Sequence, residues 1–161
     1  MAIDSFLKLG TVKGESVVKG FEDQIQILSW SWGMSQSGTT HMASGGGAGK
    51  VNVGDINVTH YVDAASPGLI QACCKGTHFD TATITMRKAG GTALEYVTIT
   101  LTDIIISSVS VSGSGGEDLL TESVALNFGK FKFSYQPQDN KGAKKGGAID
   151  VTYDIAKNTD S

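Results

Sequence analysis

The chain is poor in proline, cysteine and charged residues, and each shortage restricts the fold. Its 161 residues include two prolines, two cysteines and 18% charged residues. Because proline cannot donate a backbone N–H, its rarity favours long paired strands. Cys73 and Cys74 are adjacent, which is too close for an ordinary disulfide and unusual for a zinc ligand pair. We interpret them as small apolar residues on a helix, so nothing in the sequence requires an oxidising compartment.

The sequence also lacks an excess of positive charge and a long apolar run. A net charge of −3 argues against a general nucleic-acid binder, although Lys141, Lys144 and Lys145 form a local basic group. The first ten residues include Asp4 and Lys8, so we expect neither a secretory signal nor membrane insertion. The length and a hydrophobic content of 40% predict one globular domain spanning residues 1–161.

Motifs for catalysis or cofactor binding are scarce. The stretch Ser44–Val51 fails as a phosphate-binding loop, because Ser44 stands where a glycine is needed and Val51 where magnesium needs a hydroxyl. The three histidines are scattered without metal-ligand spacing, and no nucleophile elbow is present. We therefore expect no catalytic, cofactor-binding or metal site, although an active site assembled from distant residues remains an alternative.

Alternating apolar residues dominate what is present, and they predict a mainly β protein. Strands are predicted at residues 3–9, 24–32, 50–62, 82–86, 94–101, 104–111, 122–136 and 149–155, with a hairpin turn at Ala89–Gly91. One short helix is predicted at about Pro67–Lys75, with Ser66 as its N-cap and Gly76 as its C-cap. Many strands beside one short helix favour a small antiparallel β-barrel with a flanking helix.

Three of these strands change their apolar face partway along. The apolar set moves by an odd step after Ile27, after Leu101 and after Phe128. Since side chains alternate with a period of two, an odd step turns the apolar set to the other side of the sheet. Each switch is either a β-bulge or the start of a second apolar surface. Three switches in one small chain favour at least one true second surface.

Seven segments in order resemble one known family. They are KGES (Lys13–Ser16), ILSWSWG (Ile27–Gly33), SPGLIQACCKGTHF (Ser66–Phe79), RKAGG (Arg87–Gly91), IISSVSVSGSGGED (Ile105–Asp118), TESVALNFGK (Thr121–Lys130) and YQPQD (Tyr135–Asp139). Together they are similar to the haemolysin-coregulated protein (Hcp) family of bacterial type VI secretion. The resemblance runs from the N-terminus to about Asp154, and the segment Gly20–Gln24 is among the least family-like.

The resemblance implies a structural role rather than an enzymatic one. Members of the family fold as a small β-barrel, assemble as hexameric rings and stack into a tube. A contractile sheath drives the tube, with a VgrG-type spike at its tip, and the channel carries small effector proteins. The expected location is the cytoplasm before firing, followed by export through the apparatus without a signal peptide.

Two sets of residues are candidates for this role. Ser29 and Ser31 share a small polar face opposite the tryptophans and are expected to face the channel. Ring or stacking contacts are expected at Trp30, Trp32, His41, Gly45, Gly46, Gly47 and Lys50, most of them in the long glycine-rich loop Gly33–Gly49 and beside it. Core packing is the alternative interpretation of the tryptophans.

Three other functions remain open from the sequence. A phage-like tail-tube subunit differs little in sequence from a secretion tube. A monomeric β-barrel could use Trp30 and Trp32 as a ligand platform, and an enzyme could assemble dispersed residues.

Overall fold

The structure, a computed structural model, describes residues 3–38, 49–88 and 93–160. In these ranges it contains one helix, α1 (Ser66–Lys75), and strands numbered in chain order. The strands are β1 (Ile3–Leu9), β2 (Ile25–Ile27), β3 (Ser29–Ser31), β4 (Met34–Ser35), β5 (Asn52–Val53), β6 (Ile56–Tyr61), β7 (His78–Lys88), β8 (Leu94–Ser112), β9 (Thr121–Tyr135) and β10 (Ile149–Asp154). The mainly β class and the single flanking helix are confirmed for the described residues, while the turn expected at Ala89–Gly91 lies outside them.

One antiparallel sheet curls into a nearly closed barrel. Its strands follow the order β2-β1-β7-β8-β9-β6-β3, and every pairing among them is antiparallel. The ends of this sheet meet because β2 and β3 are successive pieces of one segment. Ile25–Ile27 pairs with β1, and Ser29–Ser31 pairs with β6. The predicted strand 24–32 is therefore divided at Leu28, whose N–H donates to Thr59 O at 2.8 Å.

Strand β9 is shared between two partners along one edge. Its first half pairs with β6 and its second half with β10, while β8 runs along the whole of its other edge. The sequence separates Leu94–Leu101 from Ile104–Val111, but the structure joins them in the single long strand β8. This pair of long strands, β8 and β9, forms the wall to which the shorter strands attach.

Most apolar residues that follow a face switch return to the barrel's own core, so the expected second apolar surface is limited to Leu28 and Tyr135, which are exposed. Leu101 and Ile104 lie on either side of one switch and are both fully buried in the same core. Phe128 and Phe131 flank another switch and are both buried in that core. At the third switch, buried Ile25 and Ile27 are followed by exposed Leu28 and then by the two tryptophans, which pack against the same cluster.

A line of three residues explains how the faces change without loss of register. Asp80 of β7, Asp103 of β8 and Gly129 of β9 stand in one row and are skipped in the pairing. The pairs on either side of the row keep the same offset. Asp103 has a φ of 58°, a conformation typical of bends. One matched extra residue per strand therefore bends all three strands together and returns their apolar side chains to the core.

Helix α1 closes one flank of the barrel and lies against β8. Leu69 and Ala72 are buried in the barrel's core, and Gly76 ends the helix at φ 64°, as the sequence predicts. Ser66 is not the N-cap, because the helix already begins at this residue. Its hydroxyl instead accepts the N–H of Asp63 at 3.1 Å and so tightens the turn before the helix.

Candidate assembly surfaces

Ser29 and Ser31 lie on the outer face of β3, where both side chains are exposed. Ser29 stands opposite Thr59 and Ser31 opposite Asn57 on β6. The Thr59 hydroxyl lies 3.3 Å from that of Ser123 on β9, so the polar face continues across three strands. The structure therefore places the two serines together on a small-residue, hydroxyl-rich surface. Their orientation toward a channel stays a prediction.

Trp30 and Trp32 lie on the opposite side and pack against the barrel's own core. The Trp32 ring meets Phe131 edge to face, with centroids 4.9 Å apart, and its Nε1 donates to Gly54 O at 3.1 Å. Both rings remain half-buried. Core packing, the alternative interpretation, thus accounts for most of their surface. A contact of either ring with a neighbouring subunit stays a prediction.

The long loop leaves the barrel from a short hairpin base. Met34 and Ser35 of β4 pair with Val53 and Asn52 of β5. Lys50, just before β5, is exposed. The remaining contact candidates, His41, Gly45, Gly46 and Gly47, lie outside the described residues.

A buried polar pair sits inside the barrel beside the start of α1. His60 of β6 and Glu122 of β9 face each other across the two strands, with Nε2 2.8 Å from Oε1 and each residue only 1% exposed. His60 Nδ1 has no hydrogen bond, and the nearest carboxylate oxygen, on Asp63, is 3.7 Å away. The described residues contain no cluster of three or more His, Cys, Asp or Glu arranged to hold a metal ion. The pair forms a buried contact between β6 and β9.

An acidic groove opens where β1 and β6 diverge. It comprises two adjoining cavities of about 490 and 390 Å³, which share Leu28, Tyr61 and Leu119 in their walls. These three side chains are 50%, 45% and 56% exposed. Carboxylates surround them, and no lysine or arginine lines either cavity among the residues that the structure describes. The acidic lining residues are Asp4, Glu15, Asp63, Glu117 and Asp118, of which Asp4 forms an ion pair with Arg87 at 3.7 Å.

A second exposed apolar group, the lysine edge, lies on β9 and β10. It consists of Tyr135, Ile149 and Val151, which are 42%, 65% and 53% exposed, with Lys144 and Lys145 in the connecting loop. Tyr135 and Ile149 are direct cross-strand partners. The loop folds back on β9, since Lys145 N–H donates to Pro137 O at 2.9 Å. Among the described strands β10 pairs only with β9, and on its other edge Asp154 forms an isolated bridge with Thr159.

Charge near β10 is partly neutralised within the strand pair. Ser134 donates a hydrogen bond to Asp150 at 2.5 Å, and Lys132 lies 3.5 Å from the same carboxylate. The hydrogen bond from Ser134, with a smaller contribution from Lys132, holds the pKa of Asp150 below its ordinary value. Asp150 therefore remains ionised and compensates Lys132, while Lys141, Lys144 and Lys145 are exposed in the connecting loop.

Each apolar group contains one residue that follows a face switch, Leu28 or Tyr135. Sequence reasoning still missed the groups as surfaces, because their other members lie elsewhere in the chain. A signal for the acidic groove was present in Leu119 and Leu120, two adjacent leucines that end an otherwise polar glycine- and serine-rich stretch. Such residues in a hairpin loop have no strand face to fill, so their apolar character points to a contact outside the loop.

The model of one protein family, described as "Type VI secretion system effector, Hcp", matches residues 6–135. The chain belongs to the Hcp family. The barrel fold is the one found in this family, whose members are secreted proteins with a structural role. Protein hcp1 of Pseudomonas aeruginosa PAO1 is 52% identical over 159 residues, which is 98% of each chain.

Solved structures of Hcp proteins have the same fold. Hcp1 from Salmonella typhimurium is 39% identical and aligns over 100% of both chains with a TM-score of 0.83. A structure described as a type six secretion system protein is 28% identical, aligns over 98% of this chain and 99% of its own, and has a TM-score of 0.92. The chain is thus a type VI secretion Hcp protein. The described part contains no helix with the length and apolarity needed to span a membrane.

Proposed function

We propose that this Hcp chain is the structural subunit of the type VI secretion tube. In this proposal the chain forms hexameric rings, the rings stack into a hollow tube, and sheath contraction expels the tube with a VgrG-type spike at its tip. The observation that carries the proposal is the match to the Hcp family over almost the whole chain. The subunit acts by assembly and not as an enzyme, and it waits in the cytoplasm until the apparatus fires.

Two physical features support self-assembly. A ring requires a head-to-tail interface, in which two different surfaces of each subunit meet. This chain exposes large apolar residues in two separate places, the acidic groove and the lysine edge. Monomeric proteins rarely leave such groups contiguous and uncovered.

The native mass of the purified protein tests this proposal directly. Light scattering should give about six times the chain mass of 16.8 kDa, and negative-stain images of the same peak should show rings with an open centre. A folded monomer that stays monomeric on concentration would contradict the tube role and favour the monomeric ligand-binding barrel.

We further propose that Ser29 and Ser31 line the channel and contact effector cargo. Small exposed hydroxyls suit this role, because they leave the channel wide and present hydrogen-bonding groups to a passing protein. Ser31→Tyr should reduce cargo retention at least about tenfold while rings still form. Thr11→Tyr, an equally large change at an exposed turn after β1, serves as the matched control. Equal cargo retention by the Ser31 variant and the wild-type protein would exclude a channel role for this face.

A further inference from the structure

The acidic groove and the lysine edge are complementary to each other. The groove places carboxylates around Leu28, Tyr61 and Leu119, whereas Tyr135, Ile149 and Val151 lie on two strands that are joined by a loop with exposed lysines. Asp139 and Asp150 also lie at the lysine edge, but lysines outnumber them there. Each surface therefore combines exposed apolar side chains with an excess of one sign of charge, and the two signs are opposite. Complementary potentials around an apolar centre are the usual arrangement at specific protein interfaces.

The two surfaces lie at opposite ends of β9, so they cannot contact each other within one chain. The groove is formed by the start of β1, the end of β6 and the loop between β8 and β9. The lysine edge is formed by the end of β9, the start of β10 and the loop that joins them. Tyr135 ends β9, whereas Thr121, next to Leu119 and Leu120, begins it, so the full length of this strand separates them.

We propose that the acidic groove of one subunit receives the lysine edge of an adjoining copy. The occupant is a second copy of this chain, because this chain itself carries the apolar residues and the lysines that the groove fits. Glu117 and Asp118 then face Lys144 and Lys145, while Leu119 and Tyr61 cover Ile149 and Val151. This contact is heterologous, so repeating it either closes a ring or extends a stack. The inference rests on the proposed self-assembly and assigns it a surface.

Charge reversal tests the assignment. The edge variant carries Lys144→Glu and Lys145→Glu, and the groove variant carries Glu117→Lys and Asp118→Lys. Like charges then meet in every contact, so each variant alone should need at least about tenfold more protein to reach half assembly. Raising the salt concentration should weaken the wild-type assembly as well, because exposed charges are screened. Light scattering over a dilution series measures both effects.

Mixing the two variants gives the sharpest result. In a mixture every contact between an edge variant and a groove variant again joins opposite charges, so assembly should return with the two chains alternating. Lys8→Glu with Lys75→Glu is the matched control for the edge variant, because it changes the net charge by the same amount at exposed positions outside both surfaces. Circular dichroism checks that each variant is folded. Folding is expected for both charge-reversal variants, because positions 117, 118, 144 and 145 are all exposed.

The outcomes separate this inference from the function on which it rests. A wild-type chain that never assembles contradicts the tube role itself. If the wild-type protein forms rings and both charge-reversal variants assemble equally well, the tube role stands and the assigned contact is wrong. Two defective variants that stay defective when mixed would also overturn it, since opposite charges would then have failed to restore the interface.

Discussion

Replacing Glu122 with leucine should lower the free energy of unfolding by roughly 3 kcal/mol. Glu122 and His60 are each 1% exposed, and their polar atoms meet at 2.8 Å across β9 and β6. The substitution leaves the imidazole buried without its partner, which costs far more than the loss of an exposed hydrogen bond. Urea unfolding at one fixed protein concentration measures the effect, because assembly adds a concentration-dependent contribution to apparent stability.

Two further variants show whether the loss of stability comes from the unpaired imidazole of His60. Adding His60→Leu to Glu122→Leu should recover more than half of the loss, because two apolar residues then fill the site and no polar group is left unpaired. Ser123→Ala, on the exposed neighbour of Glu122, should change stability little. Equal stability of the Glu122→Leu and wild-type proteins would show that this pair contributes nothing to the barrel.

Phe131→Ala should cost about 3–5 kcal/mol, the range expected for removing a buried aromatic ring. Phe131 is 5% exposed and packs against three aromatic rings at once. Its ring centroid lies 4.9 Å from that of Trp32 and 6.2 Å from those of Phe128 and Tyr153. The loss therefore combines a cavity with the removal of favourable edge-to-face contacts.

Tryptophan fluorescence supplies an independent measurement for the same variant. In a Trp30→Phe background only Trp32 emits, and removal of Phe131 should shift this emission to longer wavelength as water reaches the indole. Phe131→Leu is the matched control, because leucine keeps most of the apolar volume and should cost about 1.5 kcal/mol or less. An unchanged emission maximum in Phe131→Ala would mean that the two rings do not shield each other.

Much of the fold could be predicted from local patterns. Alternation with a period of two identified β1, β9 and β10 almost to their ends, because apolar residues recur at every second position along most of each strand. The helix was predictable for a similar reason, since Pro67 and Gly76 have backbone preferences that suit a helix start and a helix end. These signals are local, so they do not depend on which strands meet.

The candidate site was only partly predictable. The shared face of Ser29 and Ser31 follows from strand alternation and is present in the structure. The acidic groove does not, because Leu28, Tyr61 and Leu119 come from three separate parts of the chain and meet only when the barrel closes. The same holds for Glu122 and His60, which are 62 positions apart and become neighbours through the pairing of β6 with β9.

The sequence alone determined that this protein is an antiparallel β-barrel with one helix, because side-chain alternation and backbone preferences are properties of short segments. It also contained the family resemblance that the comparisons confirm. Only the tertiary structure decided the meaning of the face switches. Asp80, Asp103 and Gly129 lie 49 residues apart from first to last, yet they align in one row across three strands. Since that alignment depends on long-range register, the pattern of a single strand cannot distinguish a shared bend from a second apolar surface.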